Sequence, residues 1–551
     1  MSKKIFIYVF LFIFGLAWFI PPDMNIWKSF LSEYMIFISG FVLLLSVGIK
    51  KINMPKIIIP ILIISFIPLI HFWIGFSFSY TSSILNFIYL FVFFLFIVLG
   101  YNLNKIKENN IIEKISCCLL IVSVVSSVFA IIQWLNLYNF LPVMELLHNR
   151  PYANLGQPNQ LATLLIIGVI SCLYFYETIR LPSILLIIIS LLLIFAIALT
   201  QSRTSWVVVC VIGFYILFKR KKINLRLGTP VLLSWCCYFS LCTIMLPIIG
   251  KGIYILFDIQ PVGVTSAIER VATQYERLAL WTQNFYAIYE KPWFGYGWYQ
   301  SGVSQLLIMD KFHFSPWYLS AHNIFIDILL WSGIVIGGPI ILFYLYFLFK
   351  LSSFVKSLES LIAMLMVIPI LIHGMLEFPL FYANFLFLLA LLFGFLLASN
   401  ESVKYIEIKR ILVVAITIFY FLFLTWIWKE YLLAMSNISK ARIIAINKIA
   451  DRKNGISSQD RYISADYYFI LKDFKLHEEW LVLDERKKVS SSELKGYEQF
   501  VLVNPSEYNL FKYAQILVYN GEKDRALKQL WLIQELYDKK YDYSYLLKTL
   551  N

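Results

Sequence analysis

The sequence predicts an all-α polytopic membrane protein of about thirteen spanning helices, followed by a soluble helical domain. Three observations predict it. Hydrophobic residues make up 60% of the 551 and charged residues only 15%, with a mean hydropathy of +0.74, whereas soluble domains are about half apolar and about a quarter charged. Apolar stretches long enough to cross a hydrocarbon core, which takes roughly 20 helical residues, recur from Ile5 to Trp428. From about Lys429 the composition turns to a charged, soluble pattern that continues to Asn551.

The first span follows Ser2, Lys3 and Lys4 and runs apolar to Ile20. Pro21-Pro22-Asp23 is no small-residue cleavage site, so the stretch reads as a retained helix and not as a signal peptide. Further spans are expected near 31–49, 57–71, 84–101, 115–135, 160–177, 182–199, 204–218, 230–250, 322–348, 357–373, 378–398 and 410–428. These boundaries give a transmembrane domain over 1–428, with a large loop at 250–321, and a helical C-terminal domain over 429–551. Within the tail, residues 504–534 carry a helical apolar period broken at Tyr519-Asn520-Gly521-Glu522, and Ala514, Gly521 and Ala526 sit where a tetratricopeptide-like hairpin uses small residues.

Lys and Arg are distributed unevenly over alternate loops. One set carries Lys50, Lys51 and Lys56, Lys105, Lys107 and Lys114, Arg180, the run Lys219-Arg220-Lys221-Lys222, and Lys404, Lys409 and Arg410; the other short loops carry Lys28, Arg150 and Arg203. The positive-inside rule makes the first set cytoplasmic, and an odd number of spans then puts the tail outside. For a Gram-negative cell this is an inner-membrane protein with a periplasmic tail. The net charge of +14 is accounted for by topogenesis and anionic lipid headgroups, so no nucleic-acid partner is expected. All seven cysteines lie in or beside apolar runs, which suggests neither a disulfide framework nor a thiolate metal site.

Four polar places remain unexplained by insertion alone, all on the exterior side of this topology. RPYANLGQPNQLATLL (150–165) sets Arg150 and the amides Asn154, Gln157, Asn159 and Gln160 at the mouth of an apolar helix. QSRTS (201–205) is a short turn with one arginine, Arg203, which serves equally as a snorkelling anchor. The large loop carries Arg270 and Arg277 ahead of KPWFGYGW (291–298) and leads to Ser320-Ala321-His322-Asn323 at the start of a long apolar helix. HGMLEFPL (373–380) is a hairpin with His373 and Glu377, which also suits a structural brace. Taken together, guanidinium forks that hold phosphate oxygens bidentately and a carboxylate or imidazole that can take a proton from a hydroxyl suit a lipid-linked diphosphate. No metal-ligand cluster such as DxD stands out in these loops, and no cofactor is expected.

The combination of RPYANLGQPNQLA, QSRTSW, PWFGYGW, SAHNIFIDILLWSG and HGMLEFPLFYANFLF resembles the bacterial O-oligosaccharyltransferases of the PglL type, within the superfamily of O-antigen ligases (WaaL) and polymerases (Wzy). The resemblance implies a GT-C-like membrane fold. It also implies metal-independent, inverting transfer of a preassembled oligosaccharide from undecaprenyl diphosphate to Ser or Thr hydroxyls of exported proteins such as pilins. By matching motif, Arg203 and Arg277 would hold the diphosphate and His322 would assist acceptor deprotonation or contact phosphate. Glu377 is the competing base, and Arg150, Asn154, Gln157, Asn159, Arg270, Asn323 and His373 would bind substrate. The competing readings are an O-antigen ligase or polymerase with a lipid-linked sugar acceptor, and a lipid or polysaccharide transporter, which would place its charges nearer the midplane.

Overall fold

A computed structural model describes the chain apart from residues 1–2, 24–25, 48–50, 106–109, 139–141, 148, 260, 263–266, 314–315, 454–466 and 551. It is mainly helical. In order, the helices are α1 (Lys3–Leu16), α2 (Phe30–Val47), α3 (Ile59–Ser65), α4 (Ile67–Trp73), α5 (Tyr80–Asn104), α6 (Ile111–Trp134), α7 (Pro158–Glu177), α8 (Ser183–Leu199), α9 (Arg203–Ile223), α10 (Thr229–Phe257), α11 (Ala267–Glu290), α12 (Ser301–Leu307), α13 (Ile324–Ser332), α14 (Gly338–Ser353), α15 (Leu358–Leu376), α16 (Ala383–Ala398), α17 (Arg410–Lys453), α18 (Lys472–Val482), α19 (Ser491–Val503), α20 (Glu507–Tyr519), α21 (Lys523–Tyr537) and α22 (Tyr543–Leu550). Among the described residues, eight helical segments are long and apolar enough to cross a membrane, and four shorter apolar helices accompany them. This is the architecture of a polytopic membrane protein. Residues 204–218, expected as a further span, form α9, which begins at Arg203 and ends in Arg220, Lys221 and Lys222.

The chain divides into two compact units. The first comprises Met1–Leu62, Tyr89–Gln274 and Phe343–Leu424. Its centre is α16, buried almost continuously from Ala383 to Leu397, with α7 and α15 buried over most of their lengths. Without water inside a bilayer the driving force for such packing is close van der Waals contact, which small residues permit. Gly394 and Gly100 supply it: a Cβ on Gly394 would lie 2.1 Å from the Ile97 carbonyl oxygen, and one on Gly100 would lie 2.3 Å from that of Leu391. Backbone therefore meets backbone, and alanine at either position would force the two helices apart. A two-stranded antiparallel ribbon, β1 (Ile52–Pro55) with β2 (Tyr405–Ile408), pairs Ile52 with Ile408 in the same unit.

The second unit comprises Ile63–Ile88, Tyr275–Leu342 and Thr425–Asn551. Helices α18 to α22 enclose a core around Trp480, Tyr513, Leu517 and Ile533, which also takes in Leu306 of α12 and Met309. The Trp480 indole donates to the Asn509 side chain at 2.9 Å, as a buried N–H must. The expected break in the tail is real: α20 and α21 turn at Gly521, whose φ of +86° favours glycine, and Ala514 and Ala526 are fully buried. Two local features depart from the expected spans. The stretch expected as one helix over 322–348 lies within a single candidate span, Ile324–Ser353, but its α-helical course is broken by a π-helical turn (Gly333–Gly337) that starts at Gly333 (φ +61°), whose missing side chain admits the Trp293 backbone. Helix α17 does not end near Trp428 but continues to Lys453, roughly 66 Å at 1.5 Å per residue.

Candidate active site

In the first unit the amide-rich segment is shaped by two side chains that spend all their hydrogen-bonding capacity on backbone. Gln133, near the end of α6, accepts the N–H groups of Tyr152 (3.0 Å) and Ala153 (2.7 Å) and donates to the carbonyls of Met144 and Ala153, both at 2.9 Å. Asn154 donates to the carbonyls of Phe19 (2.9 Å) and Pro142 (3.0 Å) and accepts the Met144 N–H (3.1 Å). These bonds hold Ala153 at φ +51°, a strained left-handed conformation for a residue with a Cβ. The loop is thus fixed before α7 begins. Pro158 then opens α7, where its missing N–H costs nothing.

The next polar side chains bond to one another. Gln157 and Asn159 each donate, at 3.2 Å, to one oxygen of the buried Glu377 carboxylate. Asn159 in turn accepts from Arg150 Nη2 (3.2 Å), and Arg150 Nε donates to the Thr200 carbonyl at 2.8 Å. Three expected stretches, 150–160, 200–205 and 373–380, therefore meet in one network. Thr163, one turn along α7, lies 2.9 Å from His373 Nδ1, and the Glu377 N–H donates to the His373 carbonyl. Arg203, half-buried, is the first residue of α9; the neighbouring hydroxyls of Ser202 and Ser205 are buried with no hydrogen-bond partner among the described residues.

In the second unit His322 sits on a loop organised by Asp327, a buried carboxylate one turn into α13. Asp327 accepts the hydroxyls of Ser301 (2.5 Å) and Ser320 (2.6 Å) and the Ala321 N–H (2.8 Å). Ser320 also accepts the His322 N–H at 3.0 Å, and His322 itself has φ +55°. Its imidazole is half-buried and edge-on to the Tyr318 ring, 5.3 Å between centroids. Asn323 is the N-cap of α13, accepting the N–H groups of Phe325 and Ile326, so its side-chain oxygen is engaged in stabilising the helix start. Arg277, half-buried on α11, stands one turn before Trp281, whose indole donates to the Ala321 carbonyl at 2.9 Å. Arg277 therefore shares a helix face with the residue that ties α11 to the His322 loop. Arg270 lies in α11 as well, and its side chain is outside the described residues.

The side chains that sequence reasoning passed over are the hubs, namely Gln133, Thr163, Ser301, Trp281 and Asp327. Asp327 carried a legible signal, a lone acid inside the apolar run IFIDILLW, which defaults to a functional or paired role. Among the described residues no group of three or more His, Cys, Asp or Glu side chains is arranged to hold a metal ion.

Residues 151–175 match the model of a protein glycosylation ligase, 185–338 that of an O-antigen ligase, and 361–545 that of a virulence factor membrane-bound polymerase, C-terminal part. A general O-oligosaccharyltransferase of Acinetobacter baylyi is 33% identical over 536 residues, covering 96% of this chain and 91% of the relative. A ComP-specific O-oligosaccharyltransferase of the same organism is 30% identical over 519 residues, 92% of this chain and 90% of the relative. The chain belongs to the O-oligosaccharyltransferases. As such it is a membrane-embedded glycosyltransferase of the O-antigen ligase superfamily that acts in protein O-glycosylation. The match to the glycosylation ligase starts at Pro151 and so takes in Asn154, Gln157 and Asn159; Arg203, Arg277 and His322 fall in the O-antigen ligase match, and His373 and Glu377 in the third.

Proposed function

We propose that this O-oligosaccharyltransferase moves a preassembled oligosaccharide en bloc from undecaprenyl diphosphate to a Ser or Thr hydroxyl of an exported protein, a pilin being one acceptor. On this reading about thirteen helices within 1–428 cross the bacterial inner membrane in a GT-C-like arrangement. The site and the tetratricopeptide-like tail (429–551) face the periplasm. The acceptor oxygen attacks the anomeric carbon, the bond from that carbon to the diphosphate breaks with inversion, and the leaving diphosphate keeps the electron pair. The acceptor proton passes to His322 or Glu377. Arg203 and Arg277 neutralise the charge that develops on the leaving group; Arg150, Gln157, Asn159, Arg270 and His373 bind substrate, and Asn154 and Asn323 shape its surroundings. No metal or cofactor enters the scheme, because a lipid diphosphate is already an activated donor and the protein has mainly to orient and neutralise.

The observation that carries the proposal is the Arg150–Asn159–Glu377 network, because it ties the glycosylation-ligase segment to the turn that holds Arg203. A second observation supports the arginine's role. A cation as the first residue of a helix is at the positive end of the helix dipole, where an anion is favoured, and Ser202 and Ser205 offer unpartnered hydroxyls beside it. A phosphate there would satisfy both hydroxyls. The matches to O-antigen ligase and polymerase models favour one alternative, a lipid-linked sugar as acceptor.

The test is reconstitution of the purified chain with an undecaprenyl-diphosphate oligosaccharide and a pilin, read by intact mass, with His322→Ala and Arg277→Ala in parallel. A glycan-sized mass increase lost in both variants, by about 100-fold or more in rate, is the expected outcome. Glycan on lipid A-core, or longer polymer on the carrier and none on protein, sinks the acceptor assignment.

A further inference from the structure

Helix α11 is built inside out. Its exposed positions Leu278, Phe285 and Tyr289, with Thr282 between them, recur every three to four residues and form one stripe. Leu278, Phe285 and Tyr289 are 59%, 55% and 78% exposed, whereas the opposite face buries the amides Gln283 and Asn284 to 0% and 2%. A helix facing water on its outer side would have the reverse distribution. The one hydroxyl on the stripe turns inward, Thr282 Oγ1 donating to the Leu278 carbonyl at 2.8 Å, so its methyl group faces out. Charges are kept off the stripe: Glu276 is on the opposite side, and Glu290 at the helix end is paired with Lys311 at 2.6 Å.

The stripe also continues into the exposed apolar surface of a candidate membrane span. Beyond Tyr289 it runs into Trp293 and Phe294, 65% and 48% exposed. The Pro292 and Trp293 carbonyls accept the N–H groups of Ile334 (2.7 Å) and Val335 (3.2 Å). Ile334 and Val335 are themselves about half exposed, on the apolar segment Ile324–Ser353 that is long enough to span a bilayer. Tyr296 fixes the connection from behind, its hydroxyl donating to the Ala287 carbonyl on the buried face of α11 at 3.0 Å.

We infer that the Leu278–Phe285–Tyr289–Trp293 face of α11 is an interfacial docking surface whose partner is the lipid bilayer, into which the helix sinks edge-on along the outer leaflet. Aromatic and aliphatic side chains with self-satisfied polar groups are the chemistry that this boundary accepts. Arg277 is one residue step, about 100° around the helix, from Leu278. The docked helix therefore carries Arg277 along its flank at the depth of lipid phosphates, with Trp281 holding the His322 loop on the same side. This last consequence rests on the proposed role of Arg277, and the choice of the outer leaflet rests on the proposed periplasmic side; the docking surface itself rests on neither.

The test uses the full chain with its seven native cysteines replaced and single cysteines introduced as Phe285→Cys, Tyr289→Cys and Glu276→Cys. Each is labelled with an environment-sensitive nitrobenzoxadiazole fluorophore and reconstituted in phosphatidylethanolamine–phosphatidylglycerol vesicles containing acyl-chain spin-labelled phosphatidylcholine. The expected result is blue-shifted emission at 285 and 289, quenched several-fold more strongly than at 276. Water-like emission at 285 and 289, or equal quenching at all three sites, overturns the proposal. If the cysteine-free chain does not retain transfer, a benzophenone amino acid at the same positions of the native-cysteine chain takes its place. Crosslinks to phospholipid at 285 and 289 but not at 276 support the surface, and their absence overturns it. Because neither readout is enzymatic, failure here is distinguishable from failure of the proposed reaction.

Discussion

The Glu377 network and the His322 loop hold ionisable side chains in opposite ways. Around Glu377 the partners are side chains: two neutral amides donate to the carboxylate and an arginine anchors one of those amides. Around His322 the partners are backbone and hydroxyls gathered on a second residue, Asp327, while the imidazole stands half-buried at a left-handed turn. The first arrangement immobilises a carboxylate. The second spends its hydrogen bonds on the loop and leaves the imidazole half-buried beside Tyr318, the setting on which the proposed proton transfer by His322 relies.

The comparison breaks most visibly at Asp327. Asp327→Ala leaves two buried hydroxyls and the Ala321 N–H without their acceptor, and each such loss costs about 1–3 kcal/mol. We expect loss of transfer and a destabilisation of about 3 kcal/mol or more, with Asp327→Asn intermediate because one acceptor oxygen is kept. Thermal unfolding in nanodiscs and intact mass of the acceptor measure the two effects. Wild-type stability in Asp327→Ala would show that the loop is held by something else.

Glu377→Gln sharpens the other side with a smaller effect. The substituted amide keeps one acceptor but turns a donor toward a donor, Gln157 or Asn159, at a cost of about 1–3 kcal/mol. A base at this position predicts a fall in kcat with KM little changed and loss of the acid limb of the pH–rate profile. A brace predicts the reverse, a raised KM and an intact profile. Steady-state kinetics across pH on the Gln variant separates them, and the two amides that hold the buried Glu377 carboxylate lead us to expect the brace.

Much of this was legible in the sequence, and what escaped shares one cause. Apolar length is a one-dimensional property, so the expected apolar stretches fall mainly in helices, and the motif residues Arg150, Gln157, Asn159 and Glu377 come together in space as their common polarity suggested. The break at Gly333 is set by the Trp293 backbone, forty residues upstream, pressing where a side chain would stand. The continuation of α17 beyond Trp428 crosses a change in composition that carries no helix-breaking residue. Gln133 and Asp327 act through backbone atoms of other segments, and no local pattern encodes which carbonyl or N–H an isolated polar residue will meet. Asn154 and Asn323, expected to bind substrate, have amides directed at backbone, a use that Asn shares with any tight loop or cap.

The smallest expected effect on transfer comes from a second histidine, which serves as a control for His322. His477, on α18, is half-buried with its ring edge-on to Phe500, 5.9 Å between centroids. Burial, with Arg442 adding repulsion, lowers its pKa from 6.5 to about 4. The folded value lies below the unfolded one, so as pH falls the unfolded tail binds the proton first. Stability is therefore complete above pH 6.5, declines between 6.5 and about 4, and stays level below, a total loss of at most ~3 kcal/mol. His477→Gln removes the titration. It should flatten this part of the pH dependence of thermal unfolding while leaving transfer at pH 7 at the wild-type rate, where His322→Ala abolishes it. Transfer lost in both variants at pH 7 would mean that the histidine on the Asp327-organised loop has no role that a histidine packed against Phe500 in the tail does not share.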